Sequence, residues 1–171
     1  MSLHKKITRA ALLASCFVPL ASSAFAQDYL TGYAGWYDLI DQDNEAAQVG
    51  LEYRLNPVEY GIRPTIGINV TNDGAVYGYG VFNWDIELLP SQLYIVPNFM
   101  AGAYAQGDGK DLGSAIEFRS GLELDYQLPN THRVGIAFNH ISNASIGEKN
   151  PGAETLLINY SVPVGNLLSR R

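Results

Sequence analysis

The stretch Ser114 to Gln127 sets the strongest limit on what this chain can become. Read as an extended strand, it puts Ile116, Phe118, Leu122 and Leu124 on one face and Glu117, Arg119, Glu123 and Asp125 on the other, because successive side chains of a strand point to opposite sides. One face needs an apolar environment. The other needs ion pairs or water, since an unpaired charge buried in apolar surroundings is too costly to keep. A small barrel in a membrane supplies both, with lipid outside and a polar lumen inside.

The same alternation recurs along the chain. Leu30 to Leu39 carries Tyr33, Trp36 and Tyr37 with Gly32 and Gly35 and reads as a strand, followed by a polar turn at Asp41 to Glu45. In Gln48 to Leu55 the apolar Val49, Leu51, Tyr53 and Leu55 alternate with Gln48, Gly50, Glu52 and Arg54, and Asn56-Pro57 ends the run. Pro64 to Thr71 leads into Asn72-Asp73-Gly74, a strong hairpin signal. Val76 to Glu87 reads as one aromatic-rich strand, and Pro90-Ser91 as the next reversal. Leu93 to Tyr104 reads as a strand in which Pro97 predicts a bulge or irregular pairing. Gln106 to Asp111 is a polar turn. After Ser114 to Gln127 and a turn at Pro129-Asn130 come Arg133 to Ser142 and a final strand from Glu154 to Pro163.

Eight segments joined by turns, without a long helix or a linker, predict an all-β fold: an eight-stranded antiparallel transmembrane β-barrel of the outer membrane. Closure removes both exposed sheet edges. Export fits this reading. Lys5, Lys6 and Arg9 precede the apolar Ala10 to Leu20, and Ala24-Phe25-Ala26 offers a small-x-small cleavage site. Residues 1–26 are therefore expected to be a signal peptide and 27–171 a single barrel domain of about 145 residues. Cys16, the one cysteine, falls inside the leader, so neither a disulfide nor a thiol nucleophile is expected after processing; Phe17-Val18-Pro19 is a poor context for lipoprotein processing. The chain has 17 Asp plus Glu against 11 Lys plus Arg, with no basic cluster, which argues against nucleic acid as a partner. The last strand lacks a terminal aromatic: Tyr160 is followed by Ser161-Val162-Pro163-Val164.

Candidate chemistry concentrates between Val134 and Val162. Val134, Ile136, Phe138, His140 and Ser142 share one strand face, and Glu154, Leu156, Ile158, Tyr160 and Val162 share a face of the next strand. Paired as a hairpin, the two bring Glu154 back near His140. A hydroxyl, an imidazole and a carboxylate are the parts of a nucleophile, its base and the group that orients the base. With the N-terminus in the periplasm, all three lie on the lipid-facing side near the outer leaflet, where an ester held in the membrane is the natural substrate. Asn143, Asn150 and loop amides are candidate oxyanion donors. The other reading is a structural or lipid-binding barrel whose polar residues anchor headgroups; a channel is disfavoured by the small lumen of eight strands. His132 and His140 form no persuasive metal cluster, and no cofactor motif is apparent.

Phe138-Asn139-His140-Ile141-Ser142-Asn143, with Glu154 following, resembles the active-site region of the PagL family of outer-membrane lipid A 3-O-deacylases. The resemblance extends over essentially the whole exported chain. It implies a catalytic serine, histidine and glutamate at Ser142, His140 and Glu154, a functional loop asparagine at Asn150, and a less defined supporting role for Asn143. It further implies lipid A of lipopolysaccharide as substrate, loss of its 3-O-linked 3-hydroxyacyl chain, and no cofactor. Outer-membrane lipids are then the surroundings, and a homodimer covering part of the active face is a possible assembly.

Overall fold

A computed structural model describes residues 27–90 and 92–165; the expected signal peptide lies outside the described residues. Nine strand segments follow one another: β1 (Tyr29–Tyr37), β2 (Ala46–Arg54), β3 (Ile62–Thr71), β4 (Val76–Trp84), β5 (Ile86–Leu89), β6 (Leu93–Ala105), β7 (Ile116–Gln127), β8 (Arg133–Ser142) and β9 (Ala153–Pro163). Every pairing is antiparallel, in the order β4-β3-β2-β1-β9-β8-β7-β6-β5. β4 also pairs with β6, from Val76 opposite Ala105 to Asn83 opposite Asn98, and this closes the sheet. Because β4 and β5 both run along β6, they are two parts of one wall strand, and the barrel has eight staves.

The single strand expected over Val76 to Glu87 is thus broken at Asp85. The Asp85 carboxylate accepts hydrogen bonds from Arg63 Nε at 2.7 Å and Arg133 Nη1 at 2.8 Å, and its backbone N–H donates to Gly61 O. Drawing this residue out of the ladder interrupts the pairing with β6 between Asn98 and Ile95. Pro97 sits in that gap, while on its other side it keeps regular register opposite Leu122. A proline lacks the N–H of a ladder bond, so it is accommodated where the neighbouring strand steps away. The irregularity expected at Pro97 is therefore carried by its neighbour.

The alternation read from β7 holds. Glu117, Arg119, Glu123 and Asp125 are buried, and Ile116, Leu122 and Leu124 are exposed. The lumen is filled in two tiers. Toward the strand ends that carry the termini, Arg54 bonds Glu52 at 2.9 Å and Glu123 at 2.9 Å, and Arg119 bonds the other Glu52 oxygen at 2.7 Å. Tyr33 and Tyr79 hydroxyls also donate to Glu52. Toward the opposite end, Tyr37, Tyr77, Met100, Tyr104, Leu112 and Ile141 pack into an apolar cap. The charged row pointed to a polar interior; the apolar cap was not foreseen. A cavity of about 20 Å³ remains beneath the cap, room for about one water.

Glu52 is the hub of the lower tier. Removing one member of a buried ion pair leaves the other charges uncompensated and typically costs about 3–5 kcal/mol. Glu52→Ala is expected to lower the unfolding free energy of the refolded barrel by about that amount, read from denaturant unfolding in bilayers or micelles. A loss below about 1 kcal/mol would show that water or rearranged tyrosines replace the carboxylate.

Candidate active site

β8 and β9 form the hairpin that the sequence suggested, with His140 directly opposite Glu154. His140 Nδ1 lies 2.9 Å from Glu154 Oε1, with 46% and 18% of the side chains exposed. An ionised carboxylate can only accept, so Nδ1 carries the proton and Nε2 presents its lone pair. The glutamate is anchored through its own backbone, whose carbonyl accepts from Leu39 N at 3.1 Å.

Ser142 follows two residues along β8, on the same lipid-facing side and opposite Phe118 of β7. Its hydroxyl makes no hydrogen bond to the described residues. It lines an open groove of about 330 Å³ together with Phe99, Phe118, Ser120 and Ala144. In enzymes without substrate the link from nucleophile to base is often unmade and tightens on binding. Strand geometry places the Ser142 hydroxyl and the His140 imidazole on one face of the sheet.

The chain after Ser142 is unusual. Ala144 and Ser145 have φ of 53° and 63°, and Ile146 N donates to Asn143 O at 3.1 Å. Positive φ at both central residues is a mirror-image turn that normally takes Asn-Gly. Here Ala-Ser holds it, and the N–H groups of Ala144 and Ser145 make no hydrogen bond within the described residues. Such local strain persists only where the surroundings enforce it. Asn143 supplies part of that enforcement: its Nδ2 donates to Leu112 O and Lys149 O, both at 2.8 Å, and its N–H donates to Asn150 Oδ1 at 2.9 Å.

The two asparagines expected near the oxyanion are therefore placed differently. Asn143 is fully buried and its Nδ2 donates to the carbonyls of Leu112 and Lys149, so it braces the loop backbone. Asn150 is exposed; its oxygen holds Asn143 N, and its Nδ2 lies 3.5 Å from Ser145 Oγ. The Asn150 amide thus stands beside the unbonded N–H groups of the turn. The loop as a whole is fastened to the β6–β7 loop by these bonds and by Lys149 to Asp111 at 2.7 Å. The Asp111 carboxyl is lowered from its ordinary range by its bonds to Lys149 and to Gly113 N–H.

Gly152 is a contributor that sequence reading did not single out. It has φ of 68°, and a Cβ built there would fall 2.8 Å from His140 Cε1 and 3.4 Å from Nε2. The backbone passes directly against the imidazole. Only glycine allows that approach.

A model of the PagL family, described as "Lipid A 3-O-deacylase (PagL)", matches residues 29–163, which is the barrel from end to end. The chain belongs to the PagL family. A curated relative, "Lipid A deacylase PagL" of Bordetella bronchiseptica, is 36% identical over 52 residues. That match covers 30% of this chain, and the chain spans only 29% of the relative's length in it. Among solved structures, "Crystal structure of the outer membrane enzyme PagL" superposes with a TM-score of 0.59 at 19% identity, over 80% of this chain and 99% of that one. A structure titled "De novo design of transmembrane beta-barrels" gives 0.56 at 11% identity, over 80% and 96%. The two superpositions share the barrel architecture. The protein is an outer-membrane β-barrel of the PagL family.

The contact at Gly152 makes a prediction. Gly152→Ala should push the imidazole off Glu154 and lower kcat of any His140-dependent reaction by about 10²-fold, the usual consequence of a misplacement near 1 Å. Gly74 also has positive φ, but nothing stands within 4 Å of its Cβ direction. Gly74→Ala therefore controls for backbone strain and should leave kcat within about twofold. Equal losses in the two folded variants would remove the steric role of Gly152.

Proposed function

We propose that the protein is a lipid A 3-O-deacylase that hydrolyses the 3-O-linked 3-hydroxyacyl ester of lipid A in lipopolysaccharide, with Ser142 as nucleophile, His140 as general base and acid, and Glu154 as the orienting carboxylate. The observation that carries this reading is the His140 to Glu154 bond on the lipid-facing wall, one strand step from an unbonded serine hydroxyl. Family membership supplies the substrate class.

In the proposed reaction Ser142 Oγ attacks the acyl carbonyl as its proton passes to His140 Nε2. Glu154 stabilises the imidazolium that forms. The tetrahedral oxyanion is met by the Asn150 amide and by the N–H groups of the Ala144-Ser145 turn, donors held in place before the reaction begins. The ester C–O bond then breaks, and His140 returns the proton to the leaving sugar oxygen. Water, deprotonated by His140, hydrolyses the acyl-enzyme; the fatty acid departs and Ser142 is restored. The products are a 3-hydroxy fatty acid and lipid A with one acyl chain fewer. The depth of the site suits this chemistry, because the ester of a membrane lipid lies at the boundary between chains and headgroup, and the triad lies at the end of the apolar wall remote from the termini.

The test is the mass of lipid A after incubation with purified, membrane-inserted protein. Wild type should release one hydroxyacyl group. Ser142→Ala and His140→Asn should reduce the rate by about 10³-fold or more while leaving barrel assembly intact, and Glu154→Ala should lose about a hundredfold less than Ser142→Ala. A folded Ser142→Ala variant with wild-type activity would remove the nucleophile assignment. Unchanged lipid A with the wild type, despite binding, would instead favour the lipid-binding barrel.

A further inference from the structure

Lys149 carries a charge that the proposed triad leaves unexplained. Six of the described residues are Lys or Arg, and five of them, Arg54, Arg63, Lys110, Arg119 and Arg133, are buried in ion pairs. Lys149 alone among the described residues is an exposed cation, with 58% of its side chain open to solvent. It stands in the loop between β8 and β9, directly before Asn150. The surroundings have the opposite sign: Asp41, Asp43, Glu45, Asp108, Asp111 and Glu148 are exposed on the loops at the same end of the barrel. An anionic lipid that approaches this end is repelled by those carboxylates and attracted at Lys149.

The lysine is fixed at its base and exchangeable at its tip. Its carbonyl accepts from Asn143 Nδ2 at 2.8 Å, and a Cβ built on Gly113 would fall 2.8 Å from Lys149 Cγ, so the stem lies against the β6–β7 loop. At the tip, Nζ pairs with Asp111 Oδ2 at 2.7 Å, and both side chains are more than half exposed. An ion pair so open to water is worth little. Asp111 does not depend on it, because Oδ1 also accepts from Gly113 N–H at 2.9 Å. A ligand more strongly charged than a carboxylate can take the ammonium and leave the aspartate a donor. A phosphate monoester is such a ligand, with a charge of about −1.5 to −2 and three strong acceptor oxygens, and a lysine ammonium is a compact point charge suited to it.

We infer that Lys149 binds a phosphate group carried on the sugar of the ester substrate, displacing Asp111, and so selects phosphorylated glycolipids. This rests on the ester hydrolysis proposed above, whose substrate, lipid A, is a phosphorylated acyl-glycolipid, and extends it to how the headgroup is held. Phosphate and ester then engage one loop. The phosphate meets Lys149, while the carbonyl oxygen meets Asn150 and the Ala144-Ser145 turn. Because Lys149 O and the Asn150 amide are both bonded to Asn143, the two contacts are set on one braced backbone. A sugar gripped by its phosphate there presents its ester to Ser142 in a limited set of orientations.

The experiment uses the full chain refolded in a non-ionic detergent, which brings no phosphate of its own, with EDTA present so that no divalent cation bridges the acidic loops to the substrate. The two substrates are lipid A with its phosphates and lipid A from which they have been removed enzymatically. Wild type should show a KM about fivefold to tenfold lower for the phosphorylated lipid at similar kcat, and the difference should shrink at about 0.5 M salt. Lys149→Ala should bring the phosphorylated lipid to the KM of the other, and Lys149→Arg should keep the preference. Asp111→Asn breaks the same ion pair but leaves the ammonium, so it too should keep the preference. Gel mobility before and after heating confirms that each variant is folded. A preference retained by Lys149→Ala would overturn the inference. So would equal losses in Lys149→Ala and Asp111→Asn on both substrates, because the pair would then serve only to tie the loops together. A preference that arises only when an anionic phospholipid is added would assign Lys149 to the surrounding lipid and overturn it as well. Failure of wild type to cleave either substrate would refute the hydrolase reading itself, an outcome distinct from cleavage of both at equal KM.

Discussion

Closure of the sheet is the constraint from which the other features follow. In hydrocarbon an unpaired backbone N–H or carbonyl finds no water, so a spanning sheet must have no edge. The pairing of β4 with β6 meets that demand. A closed sheet then forces every residue to one of two environments, and with a period of two the chain has no third choice. Glu52, Arg54, Arg119 and Glu123 enter the lumen together and form ion pairs there. Ile116, Leu122 and Leu124 are turned outward. A register slip of one residue would drive the charges into lipid, so the ionic tier also pins the register of the wall strands.

The same parity places the site outside. His140 and Ser142 share the parity of Ile136 and Phe138, and Glu154 that of Leu156 and Ile158. No loop needs to fold over the barrel to bring the imidazole to the carboxylate, since their strands are hydrogen-bonded neighbours. A site built on a wall of this kind is held by the ladder itself. What remains adjustable is the serine rotamer and the loop after it, where Asn143 ties the strained turn to Leu112 and Lys149.

This explains which features were legible in the sequence. Period-two patterning and turn residues reveal the staves, the charged interior and the pairing of His140 with Glu154, because each depends on local spacing. The break at Asp85 was not legible: it arises from Arg63 and Arg133, which reach the carboxylate from two other strands. The apolar cap likewise gathers residues from β1, β4, β6 and β8 and the loop at Leu112. For Asn143 the signal was present and outweighed. One residue past an outward serine, it must point inward, yet its place beside Ser142 made it a candidate oxyanion donor. Gly152 lies against a histidine on another strand, and a glycine considered alone carries no trace of such a contact.

Two rows on the lipid face carry the polar groups of the proposed ester hydrolysis. In one, Glu154 and His140 are hydrogen-bonded to each other; in the next, Ser142 stands opposite Phe118. A water-soluble hydrolase must first draw its lipid out of the bilayer, and each methylene so removed costs roughly 0.8 kcal/mol. A chain that stays in hydrocarbon against Phe99 and Phe118 avoids that cost. In the proposed reaction, binding then depends on local contacts near the carbonyl, which Asn150 and the unbonded N–H groups of the Ala144-Ser145 turn would supply. Apolar surface can hold a chain at the right depth, but it cannot fix rotation about the chain's axis. Polar groups beside the ester can, and the hydroxyls and amides on this lipid-facing wall suit the proposed reaction in that way.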